Sequence, residues 1–204
     1  MSNTEHALVW LDVETTAVRP DDGQLLEVGV KATPLTDPHP ILFDYHAVIR
    51  HTGINLTVQN LHAVRMHLAN GLIDECLDRE SEDTKPVAAM LEELTAGLTS
   101  LAESGYILHP AGTNVDFDLD WLDHAYNRLI ATATPQNPER YRFRTPLNYR
   151  KLDMSTIRLT CMAMGDDPYG RDHTGTHRVD DCLDRDMTEH GEWIEWMNRR
   201  DGNE

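Results

Sequence analysis

Ala7-Leu-Val-Trp-Leu-Asp-Val-Glu-Thr-Thr16 is an apolar run that ends in two acids. The apolar part, Ala7 to Leu11, predicts a buried strand in the centre of a sheet. Side chains alternate along a strand, so Asp12 and Glu14 point to the same side. Like charges repel there unless a cation lies between them, and carboxylate oxygens suit Mg²⁺ or Mn²⁺. A solvated sheet edge carries the same pattern, so a metal site is predicted only if matching acids follow.

The composition is that of an acidic globular protein. The 204 residues are 40% hydrophobic and 26% charged, and the formal net charge is −17. This length suits one α/β domain with a sizeable core, predicted here as residues 1–204 with the core at about 7–198. Proteins that bind long duplexes through many phosphates are usually basic, so a nucleic-acid substrate is expected to be short or bound by its end. Solubility alone also explains such a charge.

Cysteine usage and hydropathy predict a cytoplasmic protein. Cys76, Cys161 and Cys182 form no C-x-x-C pair and are expected to be reduced thiols. No stretch reaches the length of a membrane span, and the N-terminus has neither a basic nor a long apolar region. We therefore expect no membrane association.

Strand-like and helix-like patterns alternate along the rest of the chain. Strands are predicted at 25–32, 41–49 and 106–108, helices within 60–77 and at 86–103, 118–130, 154–164 and 179–197, and loops at 133–149 and 166–176. His109-Pro110 is expected to end the strand at 106–108, and Asp153 or Ser155 to cap the helix at 154–164. This order predicts an α/β fold in which helices flank a mixed β-sheet, with the active site at the carboxyl ends of strands.

A second acidic segment, Gly112-Thr-Asn-Val-Asp-Phe-Asp-Leu-Asp-Trp-Leu122, enters one of these helices. Residues two apart on a helix do not share a face, so its three acids cannot all reach one metal. Asp118 shares the face of Leu122 and is predicted to point inward. Asp116 is a candidate helix cap, and Asp120 is expected to be solvated.

The third segment is Gly175-Thr-His-Arg-Val-Asp-Asp-Cys-Leu183. His177 and Asp181 are four residues apart and would be neighbours on a helix, and histidine suits a general base. The alternatives are a surface histidine and an acidic pair, Asp180-Asp181, that complements the helix dipole. Together the three segments offer four acids and a histidine, the minimum set for two-metal phosphodiester hydrolysis.

These segments resemble the three motifs of the DEDD (DnaQ-like) 3′–5′ exonuclease superfamily, in its histidine branch. Val9–Thr16, Gly112–Leu122 and His177–Asp181 are similar to the first, second and third motifs. Val64-Arg-Met-His67 and Lys151-Leu-Asp-Met-Ser-Thr156 are also similar to segments of the oligoribonucleases. The resemblance extends from about residue 8 to about residue 183.

The resemblance implies a ribonuclease H-like fold, two Mg²⁺ or Mn²⁺ ions and a homodimer. The implied activity is release of 5′-mononucleotides from the 3′ end of short single-stranded RNA or DNA. The residues it assigns are Asp12, Glu14, Asp118 and Asp181 as metal ligands, His177 as the base that activates water, and Thr15, Val18, His62 and His67 as substrate contacts. Its dimer surface includes a tyrosine that would correspond to Tyr149.

The chain departs from the family pattern at three places. Three residues separate His177 from Asp181 where the family has four, which leaves Asp180 open as the ligand. His62 stands where oligoribonucleases have a tryptophan, and a weaker stacking group is expected to loosen the preference for dinucleotides. Ala17 stands where a glycine is usual and is expected to alter the turn after the first motif.

Other functions remain compatible with the sequence. These are a proofreading-type 3′–5′ DNA exonuclease and a non-catalytic nucleic-acid-binding protein with the same fold. A mononuclear zinc hydrolase is disfavoured because there is neither an H-E-x-x-H motif nor a cysteine pair. A basic cluster, Arg140, Arg142, Arg144 and Arg150, predicts a solvated loop, a phosphate contact or a dimer surface.

Overall fold

The computed structural model describes residues 5–36, 40–133, 143–169 and 175–201. The strands are β1 (Glu5–Thr15), β2 (Leu25–Pro34), β3 (Phe43–Ile49), β4 (Thr84–Lys85), β5 (Tyr106–Gly112) and β6 (Leu152–Asp153). The helices are α1 (Leu61–Ala69), α2 (Leu72–Leu77), α3 (Val87–Glu103), α4 (Val115–Ala133), α5 (Met154–Ala163) and α6 (Val179–Asp201), with a short 3₁₀ turn at Pro20–Asp22.

The strands form one mixed sheet in the order β4-β3-β2-β1-β5-β6. Strand β1 is antiparallel to β2 and parallel to β5, and β2 is antiparallel to β3. Ala7 to Leu11 are each at most 2% exposed, as expected for a central strand. The predicted mixed sheet with flanking helices is confirmed.

Alternation along β1 divides the core between the two faces of the sheet. Val9 and Leu11 pack with residues of α3 and α4. Leu8 and Trp10 pack on the opposite face with residues of α5 and α6. Asp12 continues the row of Leu8 and Trp10, so the acids of β1 face α6 rather than α4.

Several element boundaries differ from the prediction by a few residues, and two of the differences change the role expected of a named residue. Strand β5 does not end at His109 but continues through Pro110 to Gly112. Strand β6 pairs only with Ala111 and Gly112, so it does not cover Pro110. Proline is tolerated at such a position because its missing N–H breaks no ladder hydrogen bond. Helix α4 begins at Val115, so Asp116 lies inside it instead of capping it. Asp116 forms ion pairs with Lys151 and Arg144.

The stretch predicted as a loop at 133–149 contains part of the core. Phe143 is fully buried, and Leu147 forms a parallel bridge with Leu108 of β5. Arg140 and Arg142 lie outside the described residues. Asp153 caps α5 by accepting a hydrogen bond from the Ser155 N–H at 2.8 Å, as predicted.

Among the described residues, no helix is both long enough and apolar enough to cross a bilayer. The assignment of residues 1–204 to a single domain stays a prediction.

Candidate metal and active site

The two acids of β1 lie in a largely buried part of the sheet. Asp12 is opposite Gly29 in β2, and Glu14 is opposite Glu27. Glu14 is only 9% exposed. The Oδ2 atom of Asp12 is buried and has no hydrogen-bond partner among the described residues. Buried polar atoms are rarely left without a partner, so this oxygen is available to a bound cation.

Asp118 is brought to these acids by the first turns of α4. It is 3% exposed, and its Oδ1 accepts a hydrogen bond from the backbone N–H of Val13 at 2.9 Å. Two backbone features bring the helix this close. Gly112 has φ +153°, and a Cβ there would lie 2.7 Å from the carbonyl oxygen of Leu11. Asn114 has φ +54°, in the left-handed region that asparagine tolerates.

The three carboxylates are destabilised as anions in the metal-free protein. Burial, followed by the charges on Asp12 and Glu27, raises the pKa of Glu14 to about 9. Burial and the charge on Asp186 raise the pKa of Asp12 to about 7. Burial and the charge on Asp12 raise the pKa of Asp118 well above its usual value. A cation would reverse all three effects, and these oxygen donors fit Mg²⁺ or Mn²⁺.

His177 lies on the loop that leads into α6. Its φ is +53° and its side chain is exposed. The Asn70 amide between α1 and α2 donates hydrogen bonds to the carbonyl oxygens of Thr176 and His177, both at 2.9 Å. Burial and the nearby charge on His177 lower the pKa of His67, whose Nε2 lies 3.5 Å from Glu14 Oε2.

The structure does not bring the two aspartates of the third motif to the other acids. Asp181 is exposed and accepts hydrogen bonds from the N–H and the hydroxyl of Thr176, which lower its pKa. Asp180 lies 3.5 Å from the Nζ atom of Lys31. The role of Asp181 as a metal ligand therefore stays a prediction that no observed contact supports.

Cys182 occupies the place where a fourth acid was expected. The Sγ atom of Cys182 and one oxygen each of Asp12 and Glu14 lie within 4.8 Å of one another. Sequence reasoning missed this residue, although four residues separate it from His177, the spacing that the family has for its aspartate. One residue rotates a helix by about 100°, so Cys182 and Asp181 cannot both face the sheet.

No family model matches the chain. An oligoribonuclease from Baumannia cicadellinicola subsp. Homalodisca coagulata is 31% identical over 158 residues, which cover 74% of this chain and 72% of that protein. The chain belongs to the oligoribonuclease family. An oligoribonuclease from Tropheryma whipplei (strain Twist) is 28% identical over 155 residues, covering 76% of this chain and 72% of its own.

Solved structures support the fold. Escherichia coli exonuclease I in complex with a dA16 oligonucleotide matches 90% of this chain at a TM-score of 0.58 and 12% identity. Exonuclease I from Methylocaldum szegediense matches 90% at a TM-score of 0.50 and 16% identity. The chain spans 40% and 36% of the lengths of those proteins. The predicted ribonuclease H-like fold is confirmed.

In this oligoribonuclease-family chain, a buried ion pair anchors the third motif to the sheet. Glu27 is 1% exposed and lies 2.7 Å from Nη2 of Arg178, the residue after His177. Arg178 also bonds Glu75 of α2 at 2.8 Å. The N–H of Val179 donates to Glu27 Oε2 at 3.3 Å. Sequence reasoning missed this contact, because nothing local relates residues 27 and 178.

Asp186, one helical turn after Cys182, is a further buried acid beside the site. It is 4% exposed and is held by Nη2 of Arg158 and the hydroxyl of Thr113, both at 2.7 Å. These bonds occupy its oxygens, so Asp186 acts on Asp12 through its charge. No sequence signal pointed to it, since its partners come from other elements.

The predicted substrate contacts differ in their accessibility. Val18 is 80% exposed, and His62 is exposed on α1. Thr15 is 7% exposed, and its hydroxyl donates to the carbonyl oxygen of Ala17 at 2.8 Å. His67 is fully buried, with its Nε2 3.5 Å from Glu14 Oε2. His67 is therefore close to Glu14, although neither of its ring nitrogens forms a hydrogen bond with a described residue.

The turn after the first motif accommodates Ala17. Among the described non-glycine residues, positive φ occurs only at Asn114 and His177, so Ala17 needs no glycine-like backbone. The close approach is instead made by Gly23, where a Cβ would lie 2.6 Å from the Ala17 Cβ.

Proposed function

We propose that the chain is a metal-dependent 3′–5′ exonuclease that hydrolyses short single-stranded oligonucleotides to 5′-mononucleotides. The convergence of Asp12, Glu14 and Asp118 from β1 and α4 supports this proposal. Two of these carboxylates are buried, the third is half-buried, and one of its oxygens has no partner among the described residues, which is costly without cations. Relatives named oligoribonuclease support the reaction class.

The chain's own residues divide the chemistry between them. Asp12, Glu14 and Asp118 hold two divalent cations, Mg²⁺ or Mn²⁺. Bound cations would lower the pKa of water and neutralise charge on the phosphate oxygens. His177 accepts the proton of the attacking water on its exposed imidazole ring. Asp181 would have to leave Thr176 to join the cations.

The substrate enters by its end. The net charge of −17 disfavours long polyanions. Exposed Val18 is available to wedge against the terminal bases, and exposed His62 to stack on them. Thr15 lies beside the 3′ nucleotide in this proposal, and His67 lies close to Glu14. Exonuclease I, which shares the fold, was solved with the DNA oligomer dA16, so single-stranded DNA is the second candidate substrate.

The test is release of mononucleotides from an end-labelled RNA dinucleotide, an RNA pentanucleotide and a DNA pentanucleotide, with Mg²⁺, Mn²⁺ or EDTA. We expect release that depends on the cation and is faster on RNA. A DNA preference would assign the proofreading-type activity. An alternative outcome is that the protein binds the oligonucleotides and releases no nucleotide with either cation. If Asp12→Ala also leaves that binding unchanged, the non-catalytic alternative is the correct one.

We also propose that the protein is a cytoplasmic homodimer. Tyr149 is 79% exposed, and its ring lies 4.7 Å from the Arg150 guanidinium, which makes an aromatic and cationic surface suited to protein contacts. Arg144 is engaged with acids of α4 instead. Light scattering should give twice the chain mass, and Tyr149→Ala should shift the protein towards monomer.

A further inference from the structure

The orientation of Cys182 is fixed by close packing of α6 on the sheet. Gly29 lies opposite Asp12 in β2, and a Cβ there would be 2.8 Å from the Val179 Cβ and 2.9 Å from Leu183 Cδ1. The missing side chain lets α6 approach the sheet through Val179 and Leu183. Cys182 lies between them and is turned towards Asp12.

The sulfur completes a compact group of three potential metal ligands. Asp12, Glu14 and Cys182 each offer one atom, and these atoms lie within 4.8 Å of one another. It is the one such group found within the described part of the chain. The buried Asp12 Oδ2 has no partner there, and the Glu14 Oε2 atom lies 3.5 Å from His67 Nε2, which forms no hydrogen bond with a described residue. An ion would satisfy both carboxylates.

The acids of the same part of α6 are engaged elsewhere. Thr176 binds Asp181, and Lys31 lies 3.5 Å from Asp180. Arg158 binds Asp186 at 2.7 Å. Cys182 is therefore the side chain that α6 offers to the ion held by the β1 acids.

We propose that Cys182 binds a divalent cation through its sulfur, as a thiolate, and that this position selects Zn²⁺ or Co²⁺ over Mg²⁺. A thiolate prefers such borderline-soft ions, whereas Mg²⁺ prefers oxygen ligands alone. The thiol proton passes to bulk water as the metal–sulfur bond forms, and no oxidant is required. The inference rests on the proposed function, because the same acids hold the ions there, and it concerns only the one position that Cys182, Asp12 and Glu14 share.

Sulfur coordination has an optical signature that is independent of catalysis. Metal-free protein would be titrated with Co²⁺, and the near-ultraviolet sulfur-to-cobalt charge-transfer absorption recorded without any oligonucleotide. The wild type and the control Cys161→Ser should develop the band. Cys182→Ser, verified as folded by circular dichroism, should lack it. Absence of the band in the wild type at saturating Co²⁺, or its persistence in Cys182→Ser, overturns the proposal.

A carboxylate at the same position provides the second test. Cys182→Asp restores an oxygen-only set, so calorimetry should show Mg²⁺ affinity rising by about tenfold or more and Zn²⁺ affinity falling by a similar factor. An unchanged Zn²⁺ to Mg²⁺ preference overturns the proposal. If the optical and calorimetric changes occur but no variant releases nucleotides, the proposed function fails while the cysteine ligand stands. If nucleotides are released and no band forms, the cysteine ligand fails while the proposed function stands.

Discussion

The backbone N–H of Val13 donates to the Asp118 carboxylate at 2.9 Å, and Val13 is the residue between the two acids of β1. The strand that carries Asp12 and Glu14 thus also fixes the third acid, although the two partners are 105 positions apart in the sequence. One hydrogen bond therefore couples the geometry of the metal site to the packing of α4 on the sheet.

Asp118→Asn should stabilise the metal-free protein and abolish its activity. Asparagine can still accept the Val13 N–H, but it removes a buried charge that repels Asp12. The melting temperature in EDTA should rise by about 2–4 °C for each kcal/mol of repulsion that the substitution removes. The rate of cation-dependent nucleotide release should fall by about a thousandfold. Asp44→Asn, at an exposed site, is the control. A lower melting temperature in EDTA would show that the acids do not repel.

His177→Gln should lower kcat by about 10²–10⁴-fold, the usual contribution of a general base. Cation affinity, measured by calorimetry, should be unchanged because His177 is not in the ligand group. His6→Gln, near the start of β1 and away from the acids, should retain full activity. Retention of wild-type kcat by His177→Gln would remove the histidine from the mechanism.

The Glu27–Arg178 pair predicts strong energetic coupling. Arg178→Ala leaves Glu27, which is 1% exposed, without its main counter-charge and should cost about 3–5 kcal/mol of unfolding free energy. Glu27→Gln in the same chain removes the stranded charge, so the double variant should lose less than the two single variants together. Because Arg178 follows His177, kcat should fall more than KM changes. Additive losses in urea denaturation would argue against a coupled pair.

His46 should make stability depend on pH. The hydrogen bond that His46 donates to the Glu27 carboxylate raises the pKa of His46. The charged ring therefore stabilises the fold below its unfolded pKa, and this contribution is lost as the pH rises through the raised value. For Glu27, burial raises the pKa, but the bonds from His46 and Arg178 outweigh it and lower the pKa overall. The contribution of Glu27 to stability is present above its unfolded pKa and is lost as the pH falls through its lowered pKa in the folded protein.

His46→Gln should therefore flatten the pH dependence of the urea midpoint above the unfolded histidine pKa of about 6.5, while the loss of stability in acid that is due to Glu27 remains. His62→Gln is the matched control, since His62 is exposed on α1. Equal pH profiles for the wild type and His46→Gln would show that the hydrogen bond contributes nothing measurable.

The local sequence pattern is sufficient to predict strand β1 and the inward direction of Asp118, because strand alternation and helical spacing decide which way those side chains point. It is insufficient for the third motif. The rotation of α6 depends on the left-handed backbone of His177 and on the absence of a side chain at Gly29, and neither is visible in the spacing alone. Phe143 was assigned to a loop because arginines and prolines surround it, yet contacts with distant core residues bury it.

His62→Trp should tighten the binding of dinucleotides. The position is exposed on α1, while Val64 and His67 form the buried face of that helix, so tryptophan fits without disturbing the core. Base–aromatic stacking contributes about 1–3 kcal/mol, so KM for a dinucleotide should fall by about fivefold or more, with little change in kcat. His62→Ala should raise KM. Fluorescence quenching of the new indole by substrate would report the contact directly, and an unchanged KM without quenching would place the terminal base elsewhere.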